Sequence, residues 1–360
     1  RYFWINGEVK ATMEAALAAV AIAEQLGEGG ALALAYQALA SGHWKESHMA
    51  EAKPLFGQSA AYARDVGNVT IEAASLEMYA ASGMFSGMPS AQILEILNRT
   101  YQLAEKNGDL QQMCSLFNKF GYLRIASGMG NFDSAENDYQ RGIALSEEIG
   151  NLSIKEVLLS NLGVCFTNKG DYRQALATLN ACLAMGESYP THWRYLVSRH
   201  HLGAFWMQMG NLDESHAELA HACEQLSAQG NRHFEVKARC DLGLFYHLAG
   251  ENYCAQEELA HGLTLIEGHG DLRFEALAST RLGYVLEAIG QLDDAGQMYA
   301  HGNDLHRQME QEYYALNALA GSARVAGLQA DDATALAHVE MIWETIVGQE
   351  MDATIETART

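Results

Sequence analysis

The chain has 360 residues, of which 49% are hydrophobic and only 3 are proline, a balance that suits packed helices and argues against disorder. It carries 45 acidic against 23 basic residues, a formal net charge of -22. That field repels phosphate backbones and anionic bilayers, so nucleic acid and membrane surfaces are not expected partners, and a neutral or basic protein or peptide is. No apolar run reaches the length of a membrane span and no signal peptide precedes the helices, which points to a cytoplasmic protein.

In chain order, Arg1 to Asn6 reads as the end of a helix whose beginning is missing, and the absence of a starting Met suggests a piece of a longer protein. From there a turn residue returns at nearly constant intervals: Gly7, Ser47, Gly87, Gly130, Gly170, Gly210, Gly250, Gly290 and Ala330. A second series falls about half a period later, at Gly27, Gly67, Gly108, Gly150, Pro190, Gly230 and Gly270. Glycine there can take the left-handed backbone that ends a helix, and the Asn or Asp that often follows can cap the next one. Between the turns, apolar residues recur at helical spacing, as in Leu176, Leu179 and Leu183, and no strand-like alternation occurs. Around Ala126 to Asn131 one turn is two residues longer, and Pro89 stands where a helix begins, a place proline tolerates. The expectation is an all-α solenoid over residues 1–346, about eight helical hairpins and a truncated first one, with a polar tail at 347–360.

The frame is sharpest between Asn161 and Gly302. Gly163, Gly203, Gly243 and Gly283 are 40 residues apart, and each is followed at fixed offsets by the same kinds of side chain. The third place holds Phe166, Trp206, Tyr246 and Leu286, and the twelfth Ala175, Ser215, Ala255 and Ala295. The sixteenth holds Leu179, Leu219, Leu259 and Tyr299. This arrangement resembles the tetratricopeptide repeat, with longer helices than its common 34-residue unit. The long form is similar to the sensor regions of bacterial signal-transduction ATPases and transcription regulators of the maltose-regulator type. It is also similar to bacterial peptide-pheromone receptors and to eukaryotic scaffolds of the spindle-orientation and kinesin-light-chain kind.

What the resemblance implies is a right-handed superhelix whose first helix of each pair, helix A, lines a concave groove that binds partners. The residue two places before each anchor glycine then forms a column: Lys119, Asn161, His201, Asp241 and Arg281. Helical spacing adds Asn118, Tyr122, Asn168, His200, His247 and Tyr284 to that face. Such a ladder of donors, acceptors and charges suits an extended peptide or partner segment.

No phosphate-binding loop, nucleophile elbow or H-E-x-x-H run exists, so the chain reads as a non-enzyme without a cofactor. Glu218 with His221 and Glu258 with His261 have E-x-x-H spacing, but two further inward carboxylates on antiparallel helices are missing, so no metal is expected there. The six cysteines form no C-x-x-C pair and read as buried free thiols. The leading function is recognition of a protein, peptide or effector as the sensor or regulatory region of a larger signalling protein. The alternatives are a scaffold or oligomerisation module, and the substrate-recruiting arm of an enzyme such as a protease or cyclase.

Overall fold

The computed structural model describes residues 9–126, 131–189 and 191–348. Seventeen α-helices account for its regular structure, and no strand occurs among the described residues. In chain order they are α1 (Val9–Leu26), α2 (Gly29–Lys45), α3 (Met49–Asp65), α4 (Val69–Phe85), α5 (Ser90–Lys106) and α6 (Leu110–Ala126). Then come α7 (Phe132–Glu148), α8 (Leu152–Lys169), α9 (Tyr172–Gly186), α10 (Trp193–Gln208), α11 (Leu212–Ala228) and α12 (Arg232–Leu248). The last five are α13 (Asn252–Ile266), α14 (Leu272–Ala288), α15 (Leu292–Gln308), α16 (Glu312–Leu328) and α17 (Asp332–Gly348). The helix therefore continues two residues past 346, while 349–360 lie outside the described residues, as do Arg1–Asn6, Gly7, the longer turn at 127–130 and Pro190.

The turns work as the glycine series requires. Gly67, Gly150, Gly170, Gly230 and Gly250 all have φ between 63° and 83°, in the left-handed region. Where the series substitutes another residue the backbone keeps its form: Ser47 has φ 61° and Ala330 φ 60°. The next helix is often capped at once. The Asp171 carboxylate accepts from Gln174 N at 3.1 Å, and Asn151 accepts from Ile154 N at the same distance.

The anchor glycines set how closely paired helices approach. A methyl at Gly163 would lie 2.6 Å from Leu179, at Gly203 2.8 Å from Leu219, at Gly243 2.6 Å from Leu259, and at Gly283 2.6 Å from Tyr299. Each is the residue sixteen places on, fully buried in the second helix of its pair. Even-numbered helices also touch the next even-numbered helix, whereas odd-numbered ones do not, so the A helices form the inner layer and their partners the outer one.

The array then closes on itself. Helices α2 and α4 pack against α12 and α14, about 190 residues further along the chain. One apolar cluster draws Met84, Phe85 and Phe117 from the first part together with Val236, Cys240 and Phe274 from the second. Phe85 meets Phe274 edge-on at 5.5 Å and His233 at 4.8 Å. Polar contacts continue this seam: Ala50 N donates to His269 O at 2.9 Å, Ser47 Oγ to Asp271, and Ser90 N to the Glu310 carboxylate at 3.0 Å. Arg232 pairs with Glu46 at 3.0 Å.

Candidate functional site

Closure turns the inner face into a hollow of about 1290 Å³ ringed by seven A helices, α2 to α14. Of the residues read from the sequence, Asn118, Lys119, Tyr122, Asn161 and His201 line it. Asn161 Nδ2 donates to Asn118 Oδ1 at 2.7 Å. This pairing leaves a donor on Asn118 and an acceptor on Asn161, the two groups a peptide unit needs.

His200, Asp241 and Arg281 sit elsewhere, in a buried chain linking α10, α12 and α14. His200 Nε2 is 2.6 Å from Asp241 Oδ2, and Arg281 donates to Asp241 Oδ1 at 2.5 Å. Burial alone would raise the Asp241 carboxyl, but Arg281 and then His200 hold it well below the carboxylate range. These residues satisfy one another and tie consecutive repeats together. His247 bonds Asn252 at 2.9 Å near its own turn and stacks on Tyr284 at 6.3 Å, Arg324 lies 6.0 Å over the Tyr284 ring, and Asn168 is exposed at the end of α8.

The hollow also contains residues the column does not reach. Trp44, Phe85 and Phe274 wall it at the seam, while Trp193 and Phe234 stack at 5.1 Å on another side. Lys237 lies one helical turn before Asp241 and on the same face, so spacing alone could have found it. Its Nζ is 2.7 Å from His201 Nε2, and no carboxylate among the described residues comes within 4.0 Å of it. Burial pushes the Lys237 ammonium down to about 8, and burial with the neighbouring Lys237 drives the His201 imidazole well below its ordinary value.

The lining has a consistent sign. Lys45, Lys119, Arg194 and Lys237 contribute cations, and among the described residues no Asp or Glu lines the hollow. Lys119 is 4.0 Å from Glu77 and Arg194 3.1 Å from Glu156, so part of that charge is compensated from behind. The net charge predicts a basic or neutral partner, whereas the charged side chains that line this interior are cations.

The E-x-x-H glutamates are engaged structurally: Glu218 pairs with Arg199 and Glu258 with Arg239, both at 2.5 Å. Five cysteines are buried and Cys254 is exposed, all as free thiols. Burial pushes Cys240 up to about 12, the opposite of an activated nucleophile. No helix among the described residues is long and apolar enough to cross a membrane.

No family model matches this chain, and no curated protein sequence matches it. Solved structures do. The chain is similar to a signal transduction ATPase with numerous domains and a tetratricopeptide repeat sensor from Pyrococcus horikoshii, with TM-score 0.57 and 12% identity over 88% of this chain and 46% of that one. It is similar to the APC/C hetero-tetramer Cut9–Hcn1, with TM-score 0.63 and 13% identity over 90% and 54% of the two chains. A Rap protein complexed with competence and sporulation factor matches with TM-score 0.58 and 11% identity over 95% and 99%. The chain spans about half the length of the first two. Its fold is a tetratricopeptide-like α-solenoid.

Proposed function

We propose that this chain is a recognition module that takes an acidic segment of a protein or peptide into its inner hollow, as the sensor or regulatory part of a larger signalling protein. One observation carries the reading: a chain of net charge -22 encloses a hollow whose lining, among the described residues, holds four cations and no carboxylate. Acidic groups would meet Lys119 and Lys237, the Asn118–Asn161 pair would hold a backbone amide, and the aromatic walls would take apolar side chains. The likeness in fold to a signal transduction ATPase with a tetratricopeptide repeat sensor, and to a Rap protein complexed with competence and sporulation factor, supports the regulatory role.

The test is fluorescence anisotropy with two labelled peptide libraries, one rich in Asp and Glu and its counterpart with Lys in their place. The acidic library is expected to bind, and Lys119→Ala with Lys237→Ala to weaken it by at least about tenfold, the worth of one charge-assisted hydrogen bond. Preference for the basic library, or indifference to the double variant, sinks the proposal. A second reading, self-association or scaffolding, is favoured by α17, where Leu336, Val339, Trp343 and Val347 form one exposed apolar face. A chain that dimerises and ignores both libraries would favour it.

A further inference from the structure

The seam carries a cluster that recognition in the hollow does not use. His43 lies in the last turn of α2, His48 just before α3, and Glu51 in the first turn of α3. Each offers a ligand atom within 4.8 Å of the other two. His43 Nδ1, His48 Nε2 and Glu51 Oε2 are all buried, and none has a hydrogen-bond partner among the described residues. One such atom is ordinary, but three converging in metal-binding side chains call for a shared partner, because a buried polar atom left unpaired destabilises the fold.

We propose that His43, His48 and Glu51 bind a divalent transition-metal ion of the zinc class where the solenoid closes on itself. Two imidazoles and a carboxylate suit zinc, cobalt or nickel, and disfavour calcium and magnesium, which prefer oxygen alone. Zinc bonds of about 2.0–2.2 Å set tetrahedral donors roughly 3.3 Å apart, which small side-chain rotations achieve from the present spacing.

The supporting contact comes from a distant repeat, 218 residues along the chain from Glu51. His269 stacks on His48 at 3.6 Å, and its Nδ1 is 3.4 Å from Glu51 Oε1, which leaves Oε2 for the ion. The turn that assembles the donors is fixed too: Ser47 has φ 61°, and His48 N donates to His43 O at 2.9 Å. Metal binding would therefore brace the contact between residues 43–51 and His269, on the rim of the recognition hollow but by a separate set of side chains.

The metal-stripped chain should bind one zinc ion in isothermal titration, and cobalt should give tetrahedral ligand-field absorption. His48→Gln and Glu51→Gln should each weaken zinc binding at least about tenfold, with circular dichroism confirming that they fold, while His301→Gln leaves it unchanged. X-ray absorption of the wild-type zinc form, which needs no variant, should show a shell of nitrogen and oxygen with two imidazoles. No saturable one-to-one binding at micromolar zinc, wild-type affinity in both variants, or sulfur in the shell would overturn the proposal. Peptide binding is measured separately, so either proposal can fail without the other.

Discussion

Lys237 is half-buried and bonded to the His201 imidazole, which burial holds well below its ordinary value, and desolvation pushes its own ammonium down to about 8. Its charge is therefore held in place without a carboxylate at contact distance among the described residues, and a ligand's anion can supply one. A lysine is cationic below its pKa and neutral above it, so attraction for an anion is full near pH 6.5 and fades as pH rises through about 8. Affinity for an acidic peptide should fall about tenfold between pH 6.5 and 9.5, and Lys237→Met should weaken binding and flatten that profile. Isothermal titration across the range checks it; an unchanged slope in the variant would remove Lys237 from the site. Asp241 shows the contrasting case, a buried charge already matched by Arg281 and His200 and so closed to a ligand.

At the scale of the helix pair, the repeat depends on a bare backbone meeting a large side chain. Gly203 faces Leu219 and a neighbouring Glu218 methylene so closely that even a methyl would sit 2.8 Å from the leucine. Gly203→Leu should destabilise the array by about 1–3 kcal/mol, because the α10–α11 pair must part to admit the side chain. Thermal and urea melts measure it, and a stability equal to wild type would mean that this glycine does not set the packing. Gly210 makes a useful contrast: it has open space around it but a φ of 76°, so its demand is conformational. Two glycines of one repeat thus serve different physics, and only one of them reports on helix packing.

Over the whole molecule, a solenoid ordinarily has contacts between neighbours only, and its repeats melt or bend semi-independently. Here the seam links α2 and α4 to α12 and α14, so curvature is fixed by a contact between distant repeats. Phe85, 6% exposed and lodged against Phe274 and His233, is central to that contact. Phe85→Ala should cost about 3–5 kcal/mol of packing and loosen the closure. Small-angle scattering should then give a larger radius of gyration, with faster hydrogen exchange in α2–α4 and little change in α8 and α9. Unaltered scattering would mean that the ring is held elsewhere, for instance by the polar contacts of Ser47 and Ala50.

The sequence by itself determined the helices, their turns and the pairing of Gly163, Gly203, Gly243 and Gly283 with large residues sixteen places on, because these interactions are local and repeat with the chain. It also placed Asn118, Lys119, Tyr122, Asn161 and His201 on the inner face, since one helical column repeats in register. It could not separate them from His200, Asp241 and Arg281, whose chemistry is as polar but whose charges cancel across adjacent repeats. Tertiary structure alone decided the closure, and with it the aromatic wall, the cationic interior and the meeting of His43, His48 and Glu51 beside His269. Small rotations between successive repeats add up over some 200 residues before Ser47 reaches Asp271. No single repeat encodes that sum, so neither its position nor the sites it creates can be read from a periodic pattern.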